Sequence, residues 1–266
     1  MSSDFRPPLS ASPGRIGIMA AMPAELFAVL AAMPDEARVT RAGRDFWVGH
    51  LHGREVVAVL SRIGKVAAAT TATLLLAEFG VTQIVFTGVA GGLGEGVKVG
   101  DVVVADALLQ HDMDASPLFP RFELPGTDIS RLHPPRALVD TVCRSLREAL
   151  APETLAARQP ALMEQLASLG LGQPVVHRGL VISGDQFLSS ARACAALRGA
   201  LPDALAVEME GAAVAQVCHD FGVPVTVLRT ISDRADDTAH LDFPRFLEAV
   251  ASPYAVAMLG ALLPLI

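Results

Sequence analysis

The chain has 266 residues, of which 52% are hydrophobic and 18% charged, with a formal net charge of −7. That length and apolar content suit one sizeable core. The acidic balance, without any basic run or stripe, excludes a general nucleic-acid binder, although a local pocket for an anionic substrate stays open.

Residues 1–14 are rich in Ser and Pro and carry no apolar run. They read as a disordered lead-in and not as a signal peptide, so the expected compartment is the cytoplasm. Residues 15–20 (RIGIMA) read as a buried strand and 24–32 as a helix, with Pro23 suited to its first turn. Residues 45–51 and 55–61 form a predicted hairpin closed at His52-Gly53-Arg54. A helix follows over 65–79 and a strand over 81–87, which runs into the glycine stretch 88–96 (GVAGGLGEG).

The next strand is expected at 101–109, and the loop at 110–128 is long enough to suggest a functional role. Residues 137–150 and 161–169 read as helices separated by a polar, mobile stretch. Residues 175–183 read as a strand, turning at Gly184-Asp185-Gln186-Phe187 into a helix around 190–198.

The stretch 204–237 is the densest in signals. A strand ends at Ala206-Val207, Glu208-Met209-Glu210 interrupts it, and 211–221 carries apolar residues at helical spacing until Gly222-Val223-Pro224 stops it. Residues 225–231 then form an apolar strand holding Arg229, with Ser232-Asp233 at its carboxyl end, where open α/β sheets place their ligands. The last helix is expected to begin within 243–250. Residues 249–266 lack charge and could span a bilayer by length, but Pro253 and Pro264 interrupt them and no basic flank follows. They read as a helix closing a soluble core. Strands alternate with helices throughout, which predicts a single-domain α/β fold over 15–266: a central mixed, twisted sheet flanked by helices.

Several residues carry chemistry in either of two ways. Glu208 and Glu210 would share a face of an extended chain and could accept hydrogen bonds from the vicinal hydroxyls of a ribose; equally, acids favour a helix start. Asp233, beside Asp236 and Asp237, reads as a general acid with a raised pKa or as a solvated turn. Glu25 lies on the ligand-binding edge, or simply stabilises a helix N-terminus. The glycines at 88–96 fit neither the dinucleotide nor the P-loop spacing, and serve either close ligand approach or turns. His50, His52, His111, His219 and His240 form no recognised ligand set, so no metal is expected. Cys143, Cys194 and Cys218 are scattered and predict no disulfide framework.

Taken together, IGIMAAMPAEL, IGKVAAA, TGVAGGLGEGVKVGDVVV, HDMD, LPG, RGLVISGDQF, AVEMEGAAVAQVCHDFGVPVTVLRTISD and HLDFPRFL resemble, in order, the 5′-methylthioadenosine/S-adenosylhomocysteine nucleosidases of the purine nucleoside phosphorylase superfamily. The resemblance implies a nucleoside phosphorylase-like fold and hydrolysis of the bond between adenine and a 5′-thioribose, with no cofactor. Carried over by position, Glu25 would act as base on the attacking water and Asp233 would protonate adenine N7. Glu210 would bind the ribose hydroxyls, with Glu208 beside it and Met209 packed on the sugar. Val89, Ala90 and Gly91 would lie along the nucleoside. Phe187 would stack on the base while Leu188 offers its backbone, and Phe243 would line the pocket. Arg229 and Ser232 would orient the water and Asp233.

The chain departs from the family at Val89, where a Ser is usual, and at Arg62, where a small residue is common. Residues 151–173 are longer than typical and 115–125 diverge. A homodimer is implied, because a neighbouring subunit's loop closes the pocket in relatives. Two other readings stay open: a phosphorylase using phosphate in place of water, to which Arg62 could contribute, and a catalytically weak nucleoside sensor.

Overall fold

The computed structural model describes residues 14–234 and 246–266. The lead-in up to residue 13, Asp236, Asp237, His240 and Phe243 lie outside the described residues.

The strands are β1 (Ile16–Ala20), β2 (Ala37–Arg41), β3 (Arg44–Leu51), β4 (Arg54–Leu60), β5 (Gln83–Gly92), β6 (Val102–Gln110), β7 (Val176–Ser183), β8 (Ala204–Glu208) and β9 (Val225–Asp233). The helices are α1 (Pro23–Ala31), α2 (Lys65–Ala77), α3 (Arg136–Ala149), α4 (Pro152–Arg158), α5 (Pro160–Ser168), α6 (Ala191–Ala200), α7 (Gly211–Phe221) and α8 (Ser252–Leu262), the last entered through a π-helical turn at Leu247–Ala251. The expected mixed α/β sheet is present, with strand order β2-β3-β4-β1-β5-β8-β7-β6-β9. It also closes on itself. β5 pairs with β9 parallel, β9 with β6 antiparallel, β6 with β7 and β7 with β8 parallel, and β8 returns antiparallel to β5.

Both hairpins of the open wing follow from local backbone chemistry. Ala42-Gly43 and His52-Gly53 all have positive φ, the pair of left-handed residues that a two-residue turn between twisted strands requires. One apolar face of the sheet packs on α1, α3, α5 and α8, and the other on α2 and α7. Tyr254, Met258, Leu259 and Leu262 of α8 are buried, and the helix lies against α1 and α3, so the uncharged C-terminal stretch closes the core as expected. Pro253 falls in the first turn of α8, directly after the π-helical turn. No helix among the described residues is long and apolar enough to cross a membrane.

Three sequence expectations change. β2 was not anticipated: its ARVTR is largely exposed, so it shows no apolar alternation, and charged residues suit its place at the sheet edge. The stretch expected to be polar and mobile holds α4, whose seven residues bury only Leu155 and are too short to show a helical period. Most consequentially, β5 does not end at Thr87. It runs through Gly92, paired with β9 as far as Gly91 and with β8 at Gly91 and Gly92. Gly88, Gly91 and Gly92, expected to serve ligand approach or turns, are here strand residues, and a Cβ on Gly88 or Gly92 would crowd Glu25 or Ile231.

Gly222 ends α7 in the left-handed conformation (φ 66°), its N–H reaching the carbonyls of Cys218 and His219. Nothing lies within 4 Å of a Cβ added there, so only the backbone resists substitution. Gly222→Ala is expected to lower stability by about 1 kcal/mol in urea unfolding while leaving the site intact.

Candidate active site

The cleft opens where β1, β5, β8 and β9 deliver their ends. Its wall includes Ala21, Met22 and Glu25 after β1, Gly88–Gly91 within β5, Val207–Glu210 around the end of β8, and Arg229, Ser232 and Asp233 of β9. Ile63 and Gln186–Leu188 complete it.

Glu25 is placed by the first turn of α1 and is 1% exposed. One carboxylate oxygen accepts the N–H groups of Ala21 (3.1 Å) and Met22 (2.9 Å), and the other accepts Val89 N–H (3.0 Å). Both sequence readings of this residue therefore hold at once, since Met22 is the N-cap of α1. A carboxylate offers roughly four acceptor directions, so one remains for a guest. Burial pushes the Glu25 pKa up, against the opposing pull of those N–H groups and of the Arg229 charge.

Gly88 explains how a buried acid fits so close to a strand. A Cβ there would lie 3.1 Å from Glu25 Oε1 and 3.4 Å from Arg229 Nη1.

Glu208 and Glu210, expected as a matched pair on one face, take different roles. Glu208 ends β8, and its carboxylate accepts from Ser183 Oγ, from the N–H groups of Glu210 and Gly211, and from Arg229 Nε and Nη2 (3.2 and 2.7 Å). It lines the cleft, but its acceptor capacity is taken up by the start of α7 and by Arg229. Glu210 is the N-cap residue of α7, yet its side chain turns away from that helix and accepts Gly64 N–H at 2.8 Å. The pKa of Glu210 is raised to about 7, by burial first and by the Glu208 charge second, with Gly64 N–H and Arg229 opposing. Of the two acids, Glu210 is the one with oxygens to offer.

Arg229 is anchored beside Glu208. Its hydrogen bonds go to Glu208 and to the carbonyls of Phe86 and Leu228, and its guanidinium lies 4.2 Å above the Phe86 ring, with no bond to Asp233. It acts on Glu25 and Glu210 through its field. Asp233, 9% exposed, accepts Ser232 Oγ at 2.8 Å. A bulge sets this pair: Ala90 pairs with Ile231 but Gly91 with Asp233, so Ser232 is the extra residue. Bulges re-aim side chains next to active sites, and this one brings Asp233 to the cleft.

Val89, Ala90, Gly91, Phe187, Leu188 and Met209 all line the same cleft, and Phe187 is 55% exposed at its rim. Phe243 lies outside the described residues. Ala21, Met22, Ile63, Gly88, Gln186 and Val207 were not singled out from the sequence as site residues. Ile63 sits in the IGKV stretch, whose match to the family was the available signal. Arg62 points elsewhere, donating to the Gly43 carbonyl. Among the described residues no His, Cys, Asp and Glu side chains gather as a metal site would need.

Residues 15–263 match the phosphorylase superfamily. The 5′-methylthioadenosine/S-adenosylhomocysteine nucleosidase of Neisseria meningitidis, solved with methylthio-immucillin-A, superimposes with a TM-score of 0.81 at 30% identity, covering 95% of this chain and 100% of that one. The futalosine hydrolase of Helicobacter pylori matches at 0.78 and 32% identity, over 95% and 98% of the two chains. The 5′-methylthioadenosine/S-adenosylhomocysteine nucleosidase of S. pneumoniae matches at 0.77 and 31%, over 93% and 99%. The chain therefore belongs to the phosphorylase superfamily and, within it, to the 5′-methylthioadenosine/S-adenosylhomocysteine nucleosidases.

Proposed function

We propose that this protein hydrolyses the N-glycosidic bond of 5′-methylthioadenosine, S-adenosylhomocysteine and related 5′-substituted adenosines, releasing adenine. The observation that carries the reading is the convergence of Glu25, Glu210 and Asp233 on one cleft. Breaking the bond from C1′ to N9 leaves positive charge on the sugar, as in other glycoside hydrolyses, and buried carboxylates stabilise that charge. Glu210 accepts hydrogen bonds from the ribose hydroxyls. Glu25, its affinity for protons raised by burial, takes a proton from the water that attacks C1′. Asp233 gives its proton to N7, so that adenine leaves neutral.

Electrostatics favour water over phosphate as the nucleophile. Arg229 is the only cation among the described residues of the cleft wall, and Glu208 holds it. A desolvated phosphate needs charged donors of its own. Arg62, the candidate for that role, is engaged with Gly43.

A homodimer belongs to the same proposal. Ile63 and Phe187 at the cleft rim are each 55% exposed and Val66 nearby on α2 is 79% exposed, an apolar border that a second copy would cover.

Asp233→Asn is expected to fold as the wild type by circular dichroism but to release adenine slower by a factor on the order of 10²–10⁴. Wild-type release is expected to proceed equally with and without phosphate; strict phosphate dependence would replace hydrolysis by phosphorolysis, and tight binding without turnover would replace it by sensing. Glu210 binds a proton as the pH falls through about 7 and then has one acceptor fewer for the sugar. The value of kcat/KM should therefore decline below that pH, and Glu210→Gln should be uniformly poor and lack this ionisation. Sedimentation at micromolar concentration is expected to give a dimer; a monomer at that concentration removes the second copy from the proposal.

A further inference from the structure

Three residues that the hydrolytic chemistry leaves unused, Lys65 of IGKV, Asp112 of HDMD and Asp185 of SGDQF, meet beside the cleft. Lys65 Nζ donates to Asp112 Oδ1 at 2.6 Å and to Gln110 Oε1 at 3.0 Å. The other oxygen of Asp112 accepts Asp185 N–H at 2.9 Å, and Asp185 Oδ1 accepts Lys65 N–H at 2.8 Å. These contacts close a ring between the first residue of α2 and the loops after β6 and β7. The Lys65 and Asp112 side chains are only 16% and 29% exposed, so the ion pair is shielded more than a surface pair would be. Burial works against the Asp112 carboxylate, yet the Lys65 ammonium and the Asp185 N–H outweigh it and hold its pKa below the usual range.

Each end of the ring adjoins a different part of the cleft. Lys65 follows Gly64, whose N–H holds Glu210, and Asp185 precedes Gln186, Phe187 and Leu188 of the wall. The fit between the two ends is close. Gly64 has φ 96°, and a Cβ on it would lie 3.1 Å from Asp185 Oδ1. On the far side of the wall loop, a Cβ on Gly184 would lie 2.3 Å from His111 Nε2, so the His111 ring backs the loop directly. Glu210 and Asp185 also share the N-terminus of α2, whose N–H groups carry the helix's positive partial charge.

We propose that the Lys65–Asp112–Asp185 ring is a positioning device that sets the ribose-facing acid Glu210 and the base-facing loop 186–188 as one unit. None of the three residues touches the reacting atoms, and the inference rests on the nucleosidase reading. It concerns binding of the intact nucleoside more than the bond-breaking step.

The hydrogen-bond roles make the test specific. Asp112 uses both oxygens as acceptors, so an amide would turn its NH₂ group against a donor. The Asp185 side chain accepts through one oxygen, which an Asn retains. Asp112→Asn and Asp185→Ala are expected to raise KM for methylthioadenosine about tenfold with kcat within about threefold of wild type, the pattern of lost uniform binding. Asp185→Asn is expected to stay close to wild type. The idea is overturned if Asp112→Asn and Asp185→Ala keep a wild-type KM, or if Asp185→Asn is as impaired as Asp185→Ala. Calorimetric titration with the same nucleoside separates this outcome from failure of the hydrolase reading. A wild type that binds without releasing adenine defeats hydrolysis, while about tenfold weaker binding by Asp112→Asn still supports the ring.

Discussion

The site depends on one buried guanidinium. A charge held at 1% exposure is tolerable only when paired and hydrogen-bonded, and breaking such a pair typically costs about 3–5 kcal/mol. Arg229 meets that condition through Glu208, the carbonyls of Phe86 and Leu228, and the face of the Phe86 ring. The pairing commits Glu208 to structure. What remains is a positive field shared by Glu25 and Glu210, which partly opposes the cost of burying two more acids in the same wall. Gly88 is the steric counterpart of this arrangement, since any side chain there would crowd both Glu25 and Arg229.

The pairing leaves a cluster of like charges in distinct environments. Glu25 is held by three backbone N–H groups, Glu210 by one, and Asp233 accepts a serine hydroxyl. Groups of the same type thus differ in environment, and environment sets how readily each one holds a proton. The closed strand circuit brings them together: β5 lies between β9, which brings Arg229 and Asp233, and β8, which ends in Glu208. The loop network around Lys65 then ties the rim to the same centre.

Much of this was legible in the chain. Strand and helix order followed from apolar periodicity, the C-terminal helix was separable from a membrane span by its prolines, and the three acids stood at element ends where ligands collect. The residues missed share a physical character. β2 is exposed and charged, α4 is a seven-residue helix that buries one apolar side chain, and the cleft wall residues Ala21, Ile63 and Val207 are ordinary apolar side chains whose role comes only from what surrounds them.

By itself the sequence determined the α/β class and most of the element order and marked the candidate acids, because periodicity and end position are local properties. Tertiary structure alone decided the rest. It decided that Glu208 and not Glu210 binds the arginine, that the first part of the glycine stretch, Gly88 to Gly92, is a strand, and that a bulge at Ser232 brings Asp233 to the cleft. Each of those outcomes is a competition for hydrogen bonds or space between residues far apart in the chain, and such competition has no signature in the composition or spacing of either partner.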